Sequence, residues 1–269
     1  MNVKWRSIVF AVLVALCLAS YANAGAMLPG FDSSTLAAND DGSTSLIPLG
    51  FSINFYGQTY TGAYLNNNGN MTFDSPMGTY TPFPLLSTST PIIAPFFADV
   101  DTRGTGSALM GYGTGTVNGD PAFGVTWPGV GYYAEGVDKL NYFQVVLIDR
   151  SDIAPGDFDI EFNYNQIQWE TGGASGGSDG LGGSSARVGW SNGVDTSYEL
   201  TGSAVNGALL DGGPNALISN SLNSDVLGQY IFEVRGGIIE VVPEPASMLL
   251  LGLGLIGALG LSRKSQEEE

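Results

Sequence analysis

The chain has 269 residues, with 26 acidic residues against nine basic ones, one cysteine and no histidine. So acidic a balance excludes a nucleic-acid binder, which needs clustered Lys and Arg to meet phosphate. The lack of histidine excludes Ser-His-Asp and Cys-His catalysis and any His-ligated metal.

In chain order, Lys4 and Arg6 precede an apolar run over residues 8–19, and Ala22-Asn23-Ala24 follows. Basic, apolar and small-x-small segments in that order predict a secretory signal over 1–24, removed by signal peptidase to leave Gly25 first. The single cysteine, Cys17, lies inside it. The mature chain is therefore expected to rely on packing without disulfides.

Residues 25–45 hold Asp32, Ser33, Ser34, Asn39, Asp40, Asp41 and Gly42, a composition of turns, and read as a lead-in segment. A β domain is expected over 46–235. Phe51, Ile53 and Phe55 alternate up to Tyr56-Gly57. Residues 64–67 and 70–73 flank Asn68-Gly69, which predicts a hairpin with a type I′ turn. Residues 91–100 are apolar around Ile92, Ile93, Phe96 and Phe97, with Pro95 marking an edge strand or a bulge. Residues 142–148 are apolar on both faces apart from Gln144, the pattern of a central strand. Phe158, Ile160, Phe162 and Tyr164 then alternate with Asp159, Glu161 and Asn163, predicting one buried face and one wet acidic face. The phase changes before Ile167 and Trp169, as at a bulge. Residues 172–185 are Gly/Ser-rich and read as a mobile loop. Short strands at 187–190 and 230–234 close the series, and the pattern as a whole predicts an all-β, sandwich-like single domain.

Residues 236–242 read as a linker. Val242-Pro243-Glu244-Pro245 bars a helix from starting earlier. Residues 246–261 carry no charge, and Arg263-Lys264 closes the run ahead of an acidic tail at 265–269. At ~1.5 Å per residue that run spans roughly 24 Å, enough for a short membrane helix with snorkelling Arg263 and Lys264. The positive-inside rule places those two residues in the cytoplasm and the β domain outside.

Pro243-Glu244-Pro245, a Leu/Gly-rich stretch and a basic stop resemble the PEP-CTERM sorting signal of Gram-negative bacteria. The resemblance implies recognition by an exosortase-type peptidase at Pro243, Glu244 and Pro245. It further implies an inner-membrane intermediate held by the C-terminal helix, then delivery to the cell surface or an exopolysaccharide matrix. A second resemblance lies in the middle of the chain. Phe55-Tyr56-Gly57, Leu65-Asn66-Asn67-Asn68-Gly69, residues 93–103, Val125-Thr126-Trp127, residues 138–145 and Ala186-Arg187-Val188-Gly189 fall in the order of the nidogen-like extracellular (NIDO) domain. That family occurs in matrix, mucin-type and adhesion proteins and is not known for enzymes. It implies a non-enzymatic surface or biofilm-matrix role with no cofactor.

Three sharper readings stand beside it. Asp99 and Asp101 flank Val100, and i and i+2 on a strand share a face, so the pair can begin a Ca²⁺ site completed by carbonyls or by Asp149 or Asp152. The other reading of the same residues is a loop in which Arg103 pairs with a carboxylate. Asp157, Asp159 and Glu161 offer the paired carboxylates of a hydrolase, or a solvated face. The aromatic residues Tyr56, Tyr60, Tyr64, Trp127, Tyr132, Tyr133, Trp169 and Trp190 are mostly expected in the core, and an exposed ring among them would stack on a glycan.

Overall fold

A computed structural model describes residues 25–239. They form β1 (Ser34–Thr35), β2 (Ile47–Phe55), β3 (Gln58–Asn66), β4 (Asn70–Thr72), β5 (Ile92–Phe97) and β6 (Val100–Asp101). Then come β7 (Gly111–Val117), β8 (Asp120–Tyr132), β9 (Gly136–Asp149) and β10 (Phe158–Gln166). The chain continues through β11 (Arg187–Ser191), β12 (Ser197–Glu199), β13 (Gln229–Arg235) and β14 (Ile238–Ile239). Among the described residues no helix is long and apolar enough to cross a membrane. The signal, the sorting motif and the helix predicted for the C-terminal segment all fall outside them.

The strands pair antiparallel in two sheets. The larger runs β1-β7-β8-β9-β10-β13-β14, with β6 added against β8, and the smaller runs β12-β11-β5-β4-β3-β2. One core joins them. Ile53, Leu65, Met71 and Phe96 of the smaller sheet meet Trp127, Phe143, Phe162 and Phe232 of the larger. Trp127 stacks on Phe143 with centroids 4.7 Å apart, and Phe96 reaches that pair from the opposite sheet, 5.3 Å from Phe143. Each such buried ring contributes about 1.5–3 kcal/mol of transfer free energy. The fold is therefore the expected all-β sandwich, with β9 in its interior and the phase change after β10's Tyr164 present as a register shift.

The structure corrects some local readings and decides between the alternatives of another. Asn68-Gly69 is not a two-residue type I′ turn. Asn66 pairs with Asn70, leaving three residues in the loop, and of these only Gly69 has positive φ, at 74°. Type I′ geometry, two successive positive φ values, falls instead at Tyr56-Gly57 (52° and 83°) and Asn118-Gly119 (54° and 99°). Pro95 lies in β5, inside the sheet between β4 and β11, and the ladder to β11 slips there. Of the two alternatives for Pro95, the bulge holds. The Gly/Ser-rich stretch folds back on itself, with Gly177 N–H donating to the Gly172 carbonyl and Ser184 N–H to that of Ser175.

The largest change concerns β10. Its acidic face is buried: Asp159, Glu161 and Asn163 are all under 10% exposed. Glu161 accepts amide hydrogens from Asn163 and Gln229, and Asp159 sits between Arg235 (2.7 Å) and Arg150 (3.3 Å). Asp157 accepts the Gly236 N–H. The segment before β1 covers the adjoining part of this outer face. Phe31 packs with Ala122, Val146 and Ile148, and Leu28 exchanges two hydrogen bonds with the Gln144 side chain. Glycines make room for the Phe31 ring, since a Cβ at Gly124 or Gly115 would lie 2.4 or 2.9 Å from it. Residues 25–45 are thus part of the packed domain. Phe31→Ala is expected to cost about 3–4 kcal/mol in urea unfolding, the range for a buried Phe that leaves a cavity. A loss under about 1 kcal/mol would show the segment to be peripheral.

Candidate metal centre

The loop Asn67-Asn68-Gly69 turns its side chains inward, and Asn67 and Asn68 are fully buried. Asn67 donates its amide hydrogens to the carbonyls of Asp40 and Val100. Asn68 donates to Asp41 Oδ1 (2.8 Å) and accepts the Val100 N–H through Oδ1 (2.9 Å). The loop's own backbone is held from beneath by Trp127, whose Nε1–H donates to the Asn67 carbonyl at 2.9 Å. Two buried amides therefore staple the turn at residues 39–42 to the junction between β5 and β6. The turn is closed by Asn39 Oδ1 accepting the Gly42 N–H at 2.6 Å, and Thr102 grips Asn39 from the far side.

This places oxygens of Asp40, Asp41 and Asp99 within 4.8 Å of one another. Asp99 is 1% exposed, and neither of its carboxylate oxygens has a hydrogen-bond partner among the described residues. Asp40 Oδ1 is equally unpartnered, while its Oδ2 meets Arg103 Nη2 at 2.9 Å. Burial, and then the charges of Asp40, Asp41 and Asp101, push the Asp99 carboxyl up to about 7 against the pull of Arg103. Burial and the charges of Asp101 and Asp41 push Asp40 up to about 6.

Asp101, expected beside Asp99 as a ligand, has another task. Burial pushes its carboxyl up, but hydrogen bonds outweigh that and hold it below the usual carboxylate range. Arg103 supplies Nε, Nη2 and its backbone N–H, and Glu135 supplies a fourth N–H. Every lone pair in reach is used. The shared-face argument fails because β5 ends at Phe97 and β6 begins at Val100, so Asp99 belongs to no strand and the alternation does not extend to it. The arginine-paired loop is thus the right description for Asp101, while Asp99 stands apart. Asp149 and Asp152 serve the β9–β10 turn, accepting from Ser151 and Arg150. Gly25 is the first described residue, and Ala22, Ala24, Pro243, Glu244, Pro245, Arg263 and Lys264 lie outside. Asp40 and Asp41 carried only the signal of an acidic turn, and Asn67 and Asn68 only that of a hairpin.

No hydrolase arrangement emerges from the other candidates, and the expected stacking ring narrows to one exposed residue. The carboxylate row of β10 is buried and consumed by its partners. Two clefts of about 280 and 240 Å³ are lined by tyrosines, amides and aliphatic groups, with no carboxylate side chain in either. Trp127, Trp169 and Trp190 are all buried, and of the aromatic residues considered for stacking only Tyr133 is exposed, at 37%. The tryptophans fill the space between the sheets and cannot offer a face to a sugar.

Asp101→Asn removes the charge on which four donors converge. It is expected to cost about 1.5–3 kcal/mol in chemical denaturation, the range for hydrogen bonds to a charged group. A cost below about 0.5 kcal/mol would mean that the Arg103 pairing is only surface decoration.

Comparison with known proteins finds matches over both the domain and the C-terminal segment. Residues 20–219 match the family described as NIDO related, and residues 241–264 match the PEP-CTERM protein-sorting motif. Alpha-tectorin of Homo sapiens is 33% identical over 227 residues, which take in 75% of this chain and 10% of that protein. Alpha-tectorin of Gallus gallus is 31% identical over 281 residues, 94% of this chain and 12% of that protein. Nidogen of Drosophila melanogaster is 32% identical over 229 residues, 74% of this chain and 16% of that protein. The chain thus spans between a tenth and a sixth of the length of these relatives. No solved structure matches it. The chain belongs to the NIDO-related family and carries, behind that domain, a PEP-CTERM sorting motif.

Proposed function

We propose that this is a non-enzymatic structural or adhesive protein of a Gram-negative bacterium, displayed at the cell surface or in an exopolysaccharide matrix. The observation that carries the reading is the combination in one chain of a NIDO-related domain and a PEP-CTERM motif. The motif implies processing by an exosortase-type system, and both features belong to export. On this reading residues 246–261 hold the chain in the inner membrane until the exosortase cuts near Pro243. The sandwich is then released outward. Its acidic surface, with a net charge of −17 over the whole chain, keeps it soluble and away from anionic lipid.

Intact masses of the protein from membrane, surface and medium fractions of its host test this. Loss of residues 1–24 together with a cut near Pro243 is expected in the surface and medium fractions. Glu244→Ala is expected to leave the tail in place and to confine the protein to the membrane fraction. A wild-type species cut only after Ala24 and found only in the inner membrane would make the tail a permanent anchor and remove the matrix role.

A further inference from the structure

Asp99 poses a problem that its surroundings leave unsolved. A buried carboxylate without a donor is costly to keep ionised, and among the described residues every other buried carboxylate has one. Asp101 has four donors, Glu161 two amides, and Glu170 the Gly207 N–H on both oxygens. Instead, carboxylate oxygens of Asp40 and Asp41 lie within 4.8 Å of an Asp99 oxygen. Gly172 forms one wall: a Cβ there would stand 2.2 Å from Asp99 Oδ2. Glycine at 172 is not required by the backbone, whose φ is −98°, so the space is kept for the carboxylate and what it holds.

We propose that Asp40, Asp41 and Asp99 form a Ca²⁺ site that fastens the turn at residues 39–42 to the β5–β6 junction. The donor set is all oxygen, which selects a hard cation. Among the described residues, both oxygens of Asp99, Oδ1 of Asp40 and Oδ2 of Asp41 lack a protein donor and are available; Arg103 and Asn68 hold the remaining two. One oxygen from each of the three carboxylates, with the second oxygen of Asp99 and water completing the shell, suits the six to eight ligands of Ca²⁺. The oxygens lie within 4.8 Å of one another, inside the roughly 5 Å that separates opposite ligands of Ca²⁺. Charge agrees as well. Arg103 compensates Asp101, three carboxylates remain, and a divalent ion brings the site close to neutral. The proposal is independent of how the chain is sorted.

The full chain, stripped with EDTA and melted with and without 10 mM CaCl₂, tests it. With an affinity in the 10⁻⁴–10⁻³ M range of extracellular calcium modules, Ca²⁺ is expected to raise the Tm by roughly 4–8 °C. MgCl₂ at the same concentration is expected to do much less. Asp99→Asn keeps the shape and removes the buried charge. It is expected to melt in EDTA at or above the wild-type temperature and to lose the Ca²⁺ response, while Asp152→Asn retains it. A rise that survives in Asp99→Asn, or is matched by Mg²⁺, would be general screening of the acidic surface and would overturn the site. Equilibrium dialysis against ⁴⁵Ca²⁺ gives a readout that needs no variant. One ion per wild-type chain is expected, and none bound at 2 mM free Ca²⁺ would sink the proposal.

Discussion

At Gly69 the loop between β3 and β4 runs so close to β5 that a Cβ would stand 1.8 Å from the Phe96 carbonyl oxygen. No other residue type fits such an approach, and the positive φ of 74° favours glycine as well. Much follows from it. Phe96 N–H donates to the Gly69 carbonyl, and Ala98 N–H to that of Asn68, so the loop extends the sheet past the end of β4. The Phe96 ring meets Phe143, which carries Trp127, and Trp127 returns a hydrogen bond to Asn67. The aromatic layer of the core and the amide loop above it therefore hold each other in register. Asn67 and Asn68 can reach Asp40, Asp41 and Val100 only because this layer sets their height.

Within that frame, two carboxylates two residues apart meet opposite fates. Asp99 and Asp101 are equally buried. What separates them is the number of donors each finds. Asp101 lies on β6, where Arg103 curls back and the turn after β8 presents the Glu135 N–H. Asp99 lies in the gap before β6 and meets the charges of the 39–42 turn. The single guanidinium is spent on Asp101 and Asp40. In a chain with so few cations, an acidic site of this kind cannot be neutralised from within, and a proton or an external cation must supply what the side chains lack.

The strands that could be read from the sequence were those whose pattern is local. The apolar run of β9 and the alternation of β10 state their own periods, and the bulge after Tyr164 is visible as a change of phase. What stayed hidden depends on distant partners. The polar face of β10 looked wet because nothing near it in sequence covers it. Two arginines, one on β13, and a glutamine from β13 satisfy its carboxylates, and Phe31, more than a hundred residues upstream, covers the same face of the neighbouring strands. The Asn68-Gly69 dipeptide signalled a turn correctly but not its length, because sheet register decides whether two or three residues bridge the strands. For the carboxylate site, Asp99 was legible as a hard ligand. Its companions were not, since Asp40 and Asp41 reach it only through the inward-turned amides.

The end of the domain bears on how sorting can work. Gly236 and Gly237, both at positive φ, turn the chain tightly, and β14 pairs back on β13 with Ile239 buried. Part of what reads in the sequence as a linker therefore belongs to the sheet. Only residues 240–242 separate the last described strand from Pro243, and the four steps from Ile239 to Pro243 span at most about 14 Å. A peptidase cutting at Pro243-Glu244-Pro245 would work within that distance of a folded sandwich. The cut itself would remove no described strand, since Ile239 and everything it packs on lie upstream. A cut there would leave every described strand, the amide loop and the carboxylate site on the upstream side.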